Sequence, residues 1–164
     1  MAVLYGAKLW GTEHESPSYR YDYMGKNSAN FGEDDPVTVD TTNALAVFLT
    51  TAAIVGVVVK DVTMTSDNET VAKVHPAFIP VEGKIFLMGT NSDLTGDATD
   101  AGKFYGLTGT TGVVQVDVTS GVVTGNSRQV RIVKVDPRSI GGTGSGSGLR
   151  EVLIQFFKTP ISNV

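Results

Sequence analysis

The chain has 164 residues, 41% of them apolar, so it can bury a core of its own without staples and is too apolar to stay disordered. Its formal charge of −4 is accompanied by no run of Lys or Arg, which argues against nucleic-acid and anionic-membrane partners, since both need a basic surface. The absence of cysteine excludes disulfide frameworks and thiolate metal centres.

Charged residues are only 18% of the chain, and Gly, Thr, Ser and Val take their place. Nineteen glycines among many Val and Thr predict short strands joined by turns. Residues Met1 to Trp10 lack the positive start and unbroken apolar stretch of a secretory signal, because Gly6 and Lys8 interrupt them. Residues 1–32 differ in texture from the rest. They hold Trp10 and four of the five tyrosines, and Tyr19 to Tyr23 alternates aromatic and charged side chains. This segment reads as an extended N-terminal arm, with residues 33–164 as a single β domain. The arm either packs on its own domain or reaches a neighbouring subunit. In the second case Trp10, Tyr19, Tyr21, Tyr23 and Phe31 are its partner-binding residues, and a chain lacking residues 1–31 still folds.

Val37 to Val39 is a short strand candidate. The apolar run Ala44 to Val59 is too short and too interrupted to span a membrane, and reads as one strand, two strands, or a helix near Thr42 to Thr51 followed by a strand. Val71 to Val74 predicts another strand. Glu82-Gly83, between Ile79–Val81 and Lys84–Met88, is a two-residue hairpin candidate. Thr90 to Lys103 reads as a long polar loop. Val113 to Thr119 is the clearest strand, with Val114, Val116 and Val118 on one face. In Gln129 to Val135 the apolar phase shifts by one residue after Ile132, which predicts a β-bulge with Val133 and Val135 taking over the apolar positions. Gly141 to Gly148 is a flexible loop by composition. In the last strand, Arg150 to Phe157, Val152, Ile154 and Phe156 share a face, and Leu153 and Phe157 make the other face partly apolar. Strands at this spacing, with at most one short helix, predict an all-β barrel or sandwich.

Residues arranged for chemistry are scarce. His14 and His75 have no Asp, Ser or second His at a motif spacing and read as surface or turn residues. Gly106 to Gly112 has GxxGxxG spacing and leads into a strand, whereas a dinucleotide site needs a helix N-terminus. Gly102-Lys103 lacks the rest of a phosphate loop. Asp93, Asp97 and Asp100 read as a solvated acidic loop, and Glu33-Asp34-Asp35 as a charged turn. No catalytic, cofactor-binding or metal-ligating residue is therefore expected, and the chain reads as non-enzymatic.

The order of features then becomes informative. An aromatic segment precedes Asp35-Pro36-Val37-Thr38-Val39, a valine-rich strand Ile54 to Val59, a Pro-Val-x-Gly-x-Ile-Phe-Leu element at Pro80 to Leu87, a polar loop, two alternating strands, and an end in Phe156-Phe157. Across roughly residues 33–160 the chain resembles the head decoration (cement) proteins of tailed bacteriophages and related phage structural proteins of the β-tulip or β-barrel kind. It carries over no individual functional residue. The resemblance implies a virion protein on the outer surface of the capsid, bound to the major capsid protein and to itself as a homotrimer or another symmetric oligomer, with no cofactor. A tail-tube or other virion subunit and a carbohydrate-binding β module are the alternatives.

Overall fold

In the computed structural model, which describes residues 4–10, 18–48, 52–67, 71, 73–135 and 149–157, the alternating valines around Val116 point inward. Val114 and Val116 are fully buried and Val118 packs on the same core. They centre on β10 (Gln115–Asp117), one stave of a closed five-stranded barrel.

The strands of the chain are, in order, β1 (Ala7–Leu9), β2 (Asn30–Phe31), β3 (Pro36–Val39), β4 (Leu45–Val47), β5 (Gly56–Val58), β6 (Val62–Thr63), β7 (Phe78–Pro80), β8 (Phe86–Leu94), β9 (Phe104–Thr108), β10, β11 (Val130–Val135) and β12 (Leu149–Phe156). The barrel runs β8-β10-β9-β11-β12 and closes through β12 back onto β8. Its pairs are antiparallel except β8 with β10, which are parallel, Val116 opposite Thr90. Phe86, Met88, Ile132, Val152 and Ile154 fill the interior, and Phe86 meets Phe156 edge to face at 5.3 Å. The all-β architecture expected from strand spacing is the one observed.

A second, four-stranded sheet, β4-β3-β5-β7, lies against the barrel. Val57 enters the barrel core, while its neighbour Val58 enters a second cluster with Phe31, Val37, Leu45, Met64 and Phe78. A strand buried on both faces needs no polar alternation, which is why residues 54–59 read as an unbroken apolar run. Residues 44–59 therefore supply two strands, β4 and β5; no helix forms at 42–48, where Asp40 and Leu45 begin a turn and a strand. The one short α-helix among the described residues, α1 (Asp97–Asp100), lies elsewhere.

Glycine is required in β5. A Cβ on Gly56 would sit 2.1 Å from the Phe78 ring and 2.9 Å from the Ile79 carbonyl oxygen. Gly56→Ala is expected to lower stability by about 1–3 kcal/mol, the usual range for overpacking, read as a reduced midpoint in urea.

Several expectations are corrected. Thr90 to Leu94 belongs to β8, paired with β12 through Leu94 and Gly89 and with β10 through Thr90. Its polar side chains are engaged: Asn91 donates to the Asp117 carboxylate at 2.8 Å and accepts from the Val118 amide at 2.9 Å. Glu82-Gly83 is a turn, with Lys84 N–H on the Val81 carbonyl at 3.2 Å, but not a hairpin turn, because β7 pairs with β5 and β8 enters the barrel. Residues 73–77 form no strand; Lys73 has φ 49° and Val74 is exposed. The bulge in β11 is present, as a register shift between Ile132 and Lys134. It returns Val135 to the core but leaves Val133 exposed on the outside. The glycine-rich stretch 141–148 lies outside the described residues, as do His14 and the 11–17 part of the N-terminal segment.

The N-terminal segment is part of the fold. β1 pairs antiparallel with the start of β8, Ala7 opposite Met88, and Ala7 is buried. Gly6 N–H bonds the Val114 carbonyl and Ala7 N–H the Asp34 carbonyl, both at 2.8 Å. Met24 and Lys26 bracket β4 through Leu45, and Asn30–Phe31 pair with β6. Of the two readings of residues 1–32, the described residues follow the one in which the segment packs on its own domain.

Candidate functional site

Arg20 and Phe78 exchange both backbone hydrogen bonds, at 2.9 and 3.1 Å, an isolated antiparallel bridge that docks Arg20 and its neighbours on β7. Side chains two apart on a strand share a face, so Tyr19 and Tyr21 flank Arg20 on the same side. They remain exposed, at 48% and 56%, and form one wall of an open groove of about 590 Å³. Lys60 to Thr63 and Val74 to Ala77 complete it. The His75 Nδ1 lies 2.7 Å from the Tyr21 carbonyl oxygen, tying the two walls together. Arg20 forms an ion pair with Asp22 beside the groove.

The five predicted partner residues therefore divide. Tyr19 and Tyr21 share the groove. Trp10 is 38% exposed at the end of β1, its amide on the Ile85 carbonyl. Tyr23 is half-buried and stacks on Phe78 with centroids 6.1 Å apart. Phe31 is a correction: it is 2% exposed in the second core, because β2 turns its side chain away from solvent against Val58 and Phe78. Other residues of the groove, Asp61 and His75 among them, lie far from the tyrosines in sequence, so no spacing could join them.

The shifted titratable groups hold turns together. Burial would raise Asp40, but the Thr42 hydroxyl and the Ala44 and Thr42 amides, with the Lys26 ammonium at 3.2 Å, outweigh it and hold the carboxyl down to about 2. Burial likewise opposes ionisation of Asp117, and the Ser120 and Thr119 hydroxyls, the Asn91 amide and the Ser120 N–H hold it down to about 2. Asp35 differs: burial raises it, despite amide bonds from Gly112 and Gly32. Asp100, expected in a solvated loop, is instead buried and accepts the Thr95 and Gly96 amides at 2.8 and 2.9 Å. Among the described residues no three His, Asp or Glu side chains are grouped to hold a metal ion.

For Asp40 and Asp117 the folded carboxyls ionise below the ordinary 3.8. Their contribution to stability is full above that value and is lost as pH falls toward about 2. Asp40→Asn is expected to flatten the fall of the urea midpoint across that acid window, and to lower the midpoint at neutral pH.

The fold and groove define an all-β barrel protein with a partly aromatic open groove and no helix, among the described residues, long and apolar enough to cross a membrane. No protein-family model matches the chain, and no curated protein is similar to it.

Proposed function

We propose that the chain is a virion structural protein that decorates the outer surface of a capsid, binding the major capsid protein as a homotrimer or another symmetric oligomer. The observation that carries this reading is the pair of exposed tyrosines, Tyr19 and Tyr21, held on a backbone fixed by pairing to Phe78. Rigid, exposed Tyr and Trp side chains supply large contact area at little entropic cost, and they dominate interface energetics. Trp10 adds a second anchor. The shifted carboxyls, Asp35, Asp40 and Asp117, are bound into turns and do not converge on the groove, which favours binding over catalysis. A protein that binds the assembled lattice better than the loose one stabilises it by mass action, and many equivalent sites multiply a modest affinity.

Co-sedimentation with undecorated capsids of the cognate major capsid protein tests this. Saturable binding is expected, weakened at least about tenfold in Tyr19→Ala/Tyr21→Ala, with the melt unchanged. No binding, or equal binding by the variant, overturns it. A carbohydrate-binding module is the second reading, favoured by one observation: the tyrosines line a folded groove that also offers Lys60 and Asp61 as polar partners. Saturable binding to a glycan array, lost in the same variant, would select it.

A further inference from the structure

The outer wall of the barrel carries a second surface, built from other elements. Arg128 lies with its guanidinium carbon 4.6 Å from the centre of the Phe157 ring and 5.1 Å from that of Phe104. The two rings meet edge to face at 4.6 Å. Arg128 Nε donates to the Gly125 carbonyl at 3.1 Å, so the guanidinium is held from both its stem and its face. Its two terminal nitrogens have no partner among the described residues. Arg131 stands next along the wall, opposite Phe104 on β9 and Gln155 on β12, and Lys134 stands opposite Leu153. Both are exposed and without an ion pair among the described residues. Phe157 is 37% and Val133 38% exposed beside them. A chain with 17 acidic and 13 basic side chains thus gathers on one wall three cations that have no ion pair among the described residues and two exposed apolar side chains, with the acidic Glu151 two positions before Leu153 on the same face of β12.

We propose that this wall docks a carboxylate-bearing protein segment, Arg128 taking the carboxylate with both terminal nitrogens while an apolar side chain of the segment rests on Phe157 and Val133.

A planar guanidinium immobilised on aromatic faces keeps its fork ready for a bidentate carboxylate, and loses little entropy on binding it. Stacking leaves the outward N–H groups free, so the cation is oriented without being neutralised. Strands β9, β11 and β12 are each paired on both sides, which leaves no edge for strand addition. A partner must therefore meet the side-chain face. A polyphosphate strand is the poorer match. It would have to lie along a chain whose net charge is −4, with three cations to offset the repulsion.

The test is a fluorescence anisotropy titration of the full chain with labelled probes: an extended peptide of alternating leucine and glutamate, its leucine–lysine counterpart, and a short oligothymidylate. The glutamate peptide is expected to saturate, with affinity falling as salt rises from about 50 to about 300 mM. Arg128→Lys, which keeps the charge and loses the fork, is expected to weaken it about tenfold, Arg128→Glu/Arg131→Glu to abolish it, and Lys73→Gln to leave it unchanged. Amide shift mapping on the unaltered protein supplies a readout that no variant's folding can disturb, and the shifts are expected at Phe104, Arg128 and Phe157. Equal binding of the lysine peptide, preference for the oligonucleotide, no saturation, or shifts confined to other surfaces would each overturn the proposal. None of these outcomes depends on the capsid reading.

Discussion

A chain lacking residues 1–31 loses its cooperative melt. The deletion removes β1 from the edge of β8, and with it the bonds from Gly6 to Val114 and from Ala7 to Asp34 that join the barrel to the second sheet. It strips the Arg20 pairing from β7 and the Met24 contact from β4. It also removes Phe31, fully enclosed between Val58, Met64 and Phe78. Emptying a site of that size alone costs about 3–5 kcal/mol. A domain of this kind has about 5–15 kcal/mol in total, so the summed losses exhaust it. The check is thermal unfolding followed by near-ultraviolet circular dichroism. A sharp transition near the full-length midpoint would show that the segment is a dispensable arm after all.

Asp35 is expected to separate shape from charge. Its carboxylate is fully buried, accepting the Gly32 amide at 2.8 Å on Oδ2 and the Gly112 amide on both oxygens, at 2.9 Å on Oδ2 and 3.0 Å on Oδ1. The two glycines are packed so closely that a Cβ on Gly32 would lie 2.7 Å from the Gly112 Cα. Asp35→Ala leaves the buried Gly32 donor and the partly exposed Gly112 donor without their acceptor and is expected to cost about 1–3 kcal/mol. Asp35→Asn can place its carbonyl oxygen where Oδ2 stands and accept both amides, but its NH2 group then stands in place of Oδ1, 3.0 Å from the Gly112 nitrogen. Because burial raises the folded carboxyl above 3.8, the ionised form is less favourable in the folded chain than in the unfolded one. Its contribution is best below 3.8 and diminishes as pH rises through the raised value, opposite in sign to Asp40 and Asp117. Asn avoids the cost of the buried charge but faces its NH2 group to the Gly112 donor, so it is expected to fall between the wild type and Ala at pH 7. Urea midpoints of the three proteins decide it; an Asn variant as unstable as the Ala variant would mean that the charge itself holds the junction.

How much of this was legible in the sequence depends on what each strand faces. Val113 to Thr119 was clear because one side is core and the other solvent, so alternation appears in the residues themselves. The bulge in β11 was visible as a phase change, although which valine moved outward was set by pairing with β12. The polar half of β8 was hidden. Thr90 to Asp93 carry loop-forming side chains whose bonds run to a strand 26 residues away, as from Asn91 to Asp117, and to local carbonyls, as from Thr90 to Ser92. The role of residues 1–32 was hidden for a similar reason. β1 and β2 have three and two residues, too few to show a period, and their stability comes from distant partners. Of the candidate site, the paired tyrosines were legible from their spacing. Their exposure, the turn of Phe31 into the core and the arrival of Asp61 and His75 opposite them were not. The stack of Arg128 on Phe104 and Phe157 joins three elements and leaves no mark in local sequence.

Electron microscopy of cognate undecorated capsids saturated with the purified protein tests the decoration reading most directly. Added density is expected at equivalent lattice positions on the outer surface, arranged symmetrically, with Tyr19 and Tyr21 turned toward a neighbouring subunit. Bare capsids, with folded protein left in the supernatant, would contradict it.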